Sequence, residues 1–569
     1  VVGLGQRDFL HHELPSRRTG TGQRGFLITR ARRLRQLFRR SGQADADKAQ
    51  PRRDGLRYDD SWIATNPMST VANSYRSIVA NLPIFRRRLL TFGLLGMTLI
   101  WPVRSVPAET SPVQKATAGP ATPAISLPVP TPPEPSPLLT ALKQELERSM
   151  KRLRLKGYEA PYFISYTLRD IEEAEVVGKL GAVYGKARDH RRVLHVEVRV
   201  GSYELDNTSA GESDGDADLA LSLSEVSKDA PLDDNLEALR GSLWLLTDQK
   251  YKAALASYAR KRARGVRDVE PEDKLPSFSK EKPTKFVGEI PRYDVDLEQM
   301  SESVRIAGAR LKQAPVLDGE IKLNADRVSR YFVSSEGAET IEHRTIFAAH
   351  LSAEARAKDG MLLSNERDFY GRSADQLPTA QVLATAVDGL VRDLSLLQSA
   401  PAADPYNGPA ILMEEAAGVF FHETIGHRLE GERQVSEQEG RTFKGQIGQK
   451  VLPLFLSVLD DPTLQFVQGG IPLNGFYRFD DEGVPARPVT LIEKGTLRDY
   501  LKSRTPVLGS LRSNGHGRAE GTNDPIGRMA NLVVKAEKTV PLAELKAQLL
   551  AEGRRQGKRY GVIIRGILG

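Results

Sequence analysis

The 569-residue chain contains no cysteine. That absence excludes disulfides, a thiol nucleophile and any cysteine-ligated zinc or iron–sulfur centre within this sequence, so a metal has to rest on histidine and carboxylates. No uninterrupted apolar run of about 20 residues occurs, which removes a conventional membrane span. A phosphate-cradling P-loop is also missing, which counts against P-loop nucleotide chemistry. Lys plus Arg number 81 against 73 for Asp plus Glu, a formal +8. Residues 1–104 hold 19 basic and 7 acidic side chains, and subtracting them leaves 62 against 66 for the remainder. The body of the protein is therefore slightly acidic, and no nucleic-acid partner is expected.

Composition divides the chain. Residues 1–85 read as a disordered basic leader or upstream translation, rich in arginine (Arg32, Arg33, Arg35, Arg39, Arg40). Between Met68 and Arg104 no acidic residue occurs; Arg86-Arg87-Arg88 precedes the largely apolar Leu89–Trp101, and small residues follow. Residues 86–106 thus have the anatomy of a secretory signal, which predicts a periplasmic or secreted protein, with the cytoplasm as the alternative. Ten prolines and no aromatic residue in 107–137 predict an extended tether. An N-terminal α/β domain is expected over 138–400. Within it Leu138–Leu155 and Asn235–Arg264 are helical in period, and Arg192–Val200 alternates as a strand that leaves His195 on the solvated face. Further strands are expected between Ile321 and Leu351. Thr379 is placed to cap a helix to about Gln398, with Val382, Leu383, Ala386, Val387, Leu390, Val391 and Leu394 facing the core. Proline and glycine over 399–409 mark a junction to a C-terminal domain, 405–569.

Past that junction Ala410–Met413 reads as a short buried strand and Glu414–Glu432 as a helix carrying His422-Glu423-Thr424-Ile425-Gly426-His427. The spacing H-E-x-x-x-H is one residue longer than that of ordinary zinc peptidases. In a regular helix residues five apart diverge by about 140°, so both imidazoles reach one metal only if Gly426 permits a bulge or an early end. With that distortion the two histidines hold Zn²⁺ and Glu423 stands beside the open position to take and pass on a proton, while Gly418–Phe421 offers an apolar wall. Without it, they are helix residues near a helix end.

The motif His422-Glu423-Thr424-Ile425-Gly426-His427-Arg428-Leu429-Glu430-Gly431 resembles that of the TldD/PmbA family, metallopeptidases also described as modulators of DNA gyrase. Three further stretches are similar to the family: Asp480–Gly483 with Leu491–Leu501, Asn514–Ala519 with Arg528–Asn531, and Val198–Thr208. The resemblance implies an α+β, two-domain architecture with an α/β N-terminal domain and a β-rich C-terminal domain bearing the metal-site helix. It also implies Zn²⁺, a peptide or unfolded-protein substrate, and a homo- or heterodimer with a family member. Carried over, His422 and His427 are the zinc ligands and Glu423 the general base. The family's further cysteine ligand has no counterpart here. The expectation is that the C-terminal domain is incomplete, or that His516, Glu430, Asp480, Asp481 or Glu482 completes the site. A non-catalytic subunit that binds peptide or partner is the alternative function.

Overall fold

The computed structural model describes residues 136–208, 228–265, 275–435, 441–467 and 470–567. The expected leader, signal-like segment and nearly all of the proline tether lie outside the described residues. Two 19-residue strands, β1 (Pro161–Lys179) and β2 (Ala182–Val200), form an antiparallel hairpin. Its two-residue turn places Leu180 and Gly181 at φ of 50° and 78°, the left-handed pair that follows the twist of the strands. With β3 (Asp229–Ala230), β4 (Lys285–Val287), β5 (Asp318–Ser334), β6 (Glu339–Arg356) and β7 (Leu362–Gly371) they make a seven-stranded sheet. Its order is β3-β2-β1-β5-β6-β4, with β7 also paired to β6.

Side chains alternate across each strand, so the sheet has two chemically distinct faces. On one face Tyr166, Leu168, Leu194, Val196, Val198 and Val200 are buried beneath α1 (Pro137–Arg152) and α2 (Leu236–Gly265), which contribute Leu138, Leu142, Leu239, Leu243 and Leu246. Farther along, Val176, Ile321, Leu323, Ala349 and Leu351 pack against α3 (Leu297–Gly308) and α4 (Ala380–Ser399). Asp296 caps α3 by accepting from Glu298 N and Gln299 N at 2.9 and 3.1 Å. For α4 the expected start and core stripe hold, with two corrections. Thr379 makes no side-chain capping bond, and Val382 is exposed because it falls beside the stripe rather than on it.

The opposite face is polar, with Arg169, Arg330 and Glu342 in one row and Ile171, Val328 and Arg344 in the next. His195 lies on this face but is not solvated: it is buried, with Nε2 2.9 Å from Asp524. Residues of the C-terminal half cover this part of the sheet, which the alternation of a single strand cannot reveal.

Beyond the junction, β8 (Ala410–Leu412) leads into α5 (Glu414–Phe421), and α6 (Gly431–Val435) follows the site described below. Only Ile411 of β8 is buried, so the strand is a margin rather than a core element. The strands β9 (Leu456–Asp460), β10 (Val489–Glu493), β11 (Thr496–Leu497) and β14 (Leu532–Ala536) form a sheet ordered β11-β10-β9-β14. A small ribbon joins β12 (Gly517–Arg518) to β13 (Ile526–Gly527). After α7 (Leu542–Arg555), β15 (Val562–Ile564) pairs in parallel with β8. Mixed helix and antiparallel sheet give the α+β class expected from the sequence.

Candidate metal centre

The expected single helix over Glu414–Glu432 does not form. Helix α5 ends at Phe421, His422–Gly426 make one π turn, and His427–Leu429 a 3₁₀ turn. The closing hydrogen bond runs from the His427 N–H to the His422 carbonyl, five residues back. A π turn inserts one residue into the helical repeat, which brings together side chains that a regular helix would separate. The two imidazole centroids lie 4.5 Å apart with their planes at 83°. One ligand atom from each of His422, Glu423 and His427 falls within 4.8 Å of the others, the only such group of three histidine or carboxylate side chains among the described residues.

The turn is imposed by packing on both sides. Ile425 and Leu429 are buried in the C-terminal core with Leu491, Leu497, Leu501 and Met529, which turns the opposite flank, bearing the histidines, outward. Gly426 lies against the Met529 thioether, and a Cβ there would overlap the Met529 sulfur. Its φ of −56° is ordinary, so glycine is required for space rather than for backbone freedom. Met529 is held in turn by its neighbours: Ala530 N and Asn531 N donate to buried Asp460 at 2.9 and 3.2 Å.

The side chains of His422 and His427 are 17% and 14% exposed, whereas Glu423 is 61% exposed and its Oε1 is 3.8 Å from His422 Nε2. Glu430 Oε1 accepts from His427 Nδ1 at 2.7 Å and is buried. Burial alone would raise the Glu430 carboxyl, but the His427 hydrogen bond, with Arg528 and Arg433 beside it, holds it below its ordinary value. Arg433 Nε donates to Glu430 Oε2 at 2.8 Å and Arg528 approaches Oε1 at 3.2 Å. An ionised carboxylate on Nδ1 fixes the tautomer that leaves Nε2 free to bind. The Gly418–Phe421 run is apolar wall only in part. Gly418 is buried, but Phe420 is exposed and meets Phe421 edge-on at 5.5 Å.

None of the other proposed ligands joins the cluster. Glu430 reaches it only through His427. Asp480 is fully buried and accepts backbone N–H bonds from Glu482, Val484 and Gly517 at 3.0, 2.9 and 3.0 Å, while burial pushes its carboxyl up to about 6. Asp481 binds Arg330, Arg518 and Arg169, and Glu482 accepts from Arg504 N at 2.7 Å. His516, also fully buried, sits between Asp460 at 3.2 Å and the Asn514 carbonyl at 3.1 Å. Sequence reasoning missed Met529 and Arg528 as parts of this site. Their proximity in the R-M-x-N block was visible, but not that its arginine and methionine reach back some hundred residues to Glu430 and Gly426.

Residues 405–569 match the PmbA/TldA metallopeptidase C-terminal domain. A metalloprotease of Methanocaldococcus jannaschii is 30% identical over 252 residues, 44% of this chain and 53% of that protein. A zinc metalloprotease TldD homolog of Saccharolobus solfataricus is 29% identical over 220 residues, 38% of this chain and 46% of that protein. The chain thus spans about half the length of these relatives. The crystal structure of TldE from Thermococcus kodakarensis aligns with a TM-score of 0.47 at 17% identity, covering 75% of this chain and 83% of that one.

Proposed function

Because residues 405–569 belong to the PmbA/TldA metallopeptidase family, we propose that the chain is a zinc-dependent peptidase acting on flexible or unfolded polypeptides, with His422 and His427 as metal ligands and Glu423 as general base. The π turn carries this reading. It departs from the regular helical repeat at the one place where the departure aligns two imidazoles beside an exposed carboxylate. The donor set fits zinc: two imidazoles, one oriented by a buried carboxylate, with room left for further coordination.

Bound here, zinc would supply Lewis acidity toward the scissile carbonyl. The remaining work falls to the chain's own groups. Glu430 keeps His427 in the tautomer whose Nε2 can bind. Glu423, exposed and beside His422, takes the proton of the attacking water and delivers it to the amine nitrogen as the C–N bond breaks. Exposed Phe420 offers an apolar contact to an extended substrate at the edge of the site. Dimeric assembly and export through the segment at 86–106 belong to the same proposal.

One observation favours a second reading, a subunit that binds peptide without hydrolysing it. Among the described residues no fourth histidine or carboxylate joins the three in the cluster. Zinc content of the purified protein, measured with cleavage of an unfolded labelled polypeptide by the wild type and Glu423→Gln, separates the readings. The peptidase predicts bound zinc in both proteins and cleavage only by the wild type. Zinc without cleavage in either supports the binding subunit, and absence of zinc from both overturns the metal centre.

A further inference from the structure

Two side chains with no part in the proposed chemistry, Asp460 and His516, converge on the segment that packs behind the metal turn. Both are fully buried. Asp460 ends β9, and its Oδ1 accepts from Ala530 N at 2.9 Å and Asn531 N at 3.2 Å, with His516 Nε2 also at 3.2 Å. The His516 backbone holds the same segment from its other end, since the His516 carbonyl accepts from Arg528 N at 3.0 Å. The ring is steered in turn by the Asn514 carbonyl, 3.1 Å from Nδ1. Residues 528–531 are thus fixed on both sides of Met529 by one carboxyl and one histidine.

That segment sends two side chains to the turn. The Met529 sulfur fills the space over Gly426, where an added Cβ would overlap it. Arg528 Nη1 approaches Glu430 Oε1 at 3.2 Å, and the same oxygen accepts from His427 Nδ1 at 2.7 Å. One arm therefore bears on the backbone between the imidazoles, and the other on the orientation of the His427 ring. Burying a polar pair is an expensive way to anchor a strand, and apolar packing would do so at lower cost. What the pair adds is direction. Donors aimed at a single oxygen set the register of the segment, and a slip there would carry Met529 and Arg528 off the turn.

We infer that Asp460 and His516 are positioning residues for the metal turn, acting through Met529 and Arg528 to hold His422 and His427 beside each other. The inference rests on the peptidase reading for the use of the turn, but its first test needs no metal. Amide hydrogen exchange is followed in the metal-free full chain for the wild type, Asp460→Asn and Asp460→Ala. Asp460 Oδ2 is buried and takes no hydrogen bond among the described residues, so Asp460→Asn can place its amide nitrogen there and keep the accepting oxygen. Asp460→Ala removes the acceptor altogether.

Exchange over 422–430 should quicken by roughly tenfold or more in Asp460→Ala and by less in Asp460→Asn, while the β9–β10 ladder stays within about twofold of the wild type. Zinc titration of the same proteins should show affinity weakened about 10–100-fold in Asp460→Ala, with Asp460→Asn between it and the wild type. A merely structural role would loosen turn and ladder together and leave the zinc affinity of the folded protein unmoved. Should Asp460→Ala fail to fold, Asp460→Asn and His516→Leu decide by the same comparison, since His516→Leu removes both ring contacts and keeps the carbonyl on Arg528. Exchange over 422–430 within about twofold of the wild type in every variant, or quickening shared equally by the ladder, overturns the positioning role. So does unchanged zinc affinity beside a loosened turn. Absence of zinc from the wild type overturns the peptidase reading, and the positioning of a metal site with it, whereas zinc in the wild type with an unmoved turn in the variants overturns the positioning alone.

Discussion

Two acidic stretches stand out in the C-terminal half, the turn from His422 to Glu430 and the run Asp480-Asp481-Glu482, and the structure treats them in opposite ways. At the turn, Glu423 is 61% exposed and its Oε1 lies 3.8 Å from the His422 imidazole. In the run, every carboxylate is buried and spent on backbone N–H groups or guanidiniums. Acidic residues therefore serve different chemistry in the two stretches. A carboxylate whose lone pairs are taken stabilises the fold, and one whose lone pairs stay open can hold a metal or move a proton. Glu430 stands between the cases, since it is buried and saturated but spends one of its bonds on His427, a proposed ligand.

The contrast predicts a ranking of effects on the metal. The largest belongs to the histidines: His422→Ala or His427→Ala should reduce bound zinc to background, read by elemental analysis, while the circular dichroism of the sheet is retained. Stoichiometric zinc in either variant would break the contrast at its strongest point. Glu423→Gln should keep zinc near the wild-type level and lower turnover by about 10²–10⁴-fold, the usual worth of a positioned acid–base group.

Next comes Gly426→Ala. The added methyl meets the Met529 sulfur, so either Met529 moves or the π turn relaxes toward a regular helix. Overpacking of this kind costs about 1–3 kcal/mol, and relaxation would separate the imidazoles. Zinc affinity should fall sharply with the protein still folded, and Met529→Ala in the same chain should recover part of it. Glu430→Gln should act more mildly. It keeps the shape but loses the ionised acceptor on His427 Nδ1, and the expected loss in zinc affinity is roughly 10–100-fold.

Much of the first half was legible because its elements answer to local periodicity. Alternation from Leu194 to Val200 and the 3.6-residue stripe from Leu383 to Leu394 give the strand and helix that form. The exceptions share a cause. His195 is buried by Asp524, over 300 positions away, and Gly426 is constrained by Met529, about a hundred away. For the metal turn, H-E-x-x-x-H marked the residues and Gly426 the means of distortion. The spacing could not say whether a bulge forms, since the core contacts of Ile425, Leu429 and Met529 decide it. Nor can the letters D-D-E tell an open ligand set from one saturated by Arg169 and Arg330, which come from strands of the other half.

The smallest expected effect on the metal, and the sharpest test of the contrast, comes from Asp481→Asn. Burial by itself would raise the Asp481 carboxyl, but Arg518, Arg330 and Arg169 outweigh it and hold the group far below the ordinary carboxylate range. A carboxyl depressed on folding contributes stability above its unfolded value, near 3.9, and that contribution is lost as the pH falls toward the folded one. At pH 7 the substitution leaves three guanidiniums around a neutral amide, and breaking a buried ion pair from one side costs about 3–5 kcal/mol. Denaturant unfolding of the metal-free protein should therefore show a large deficit for Asp481→Asn at neutral pH that narrows steadily below about pH 4, as the wild type loses the same interaction. Metal-free protein is needed because metal affinity is itself pH-dependent and would add a zinc-linked term. Zinc per folded molecule at pH 7 should match the wild type within about twofold, because nothing in the Asp481 cluster touches the imidazoles directly. A loss of zinc comparable to that of Glu430→Gln would show that the buried run orients the site as well, and the division between spent and open carboxylates would then have to be redrawn around Arg528, which joins Glu430 to the strand leading back to Arg518.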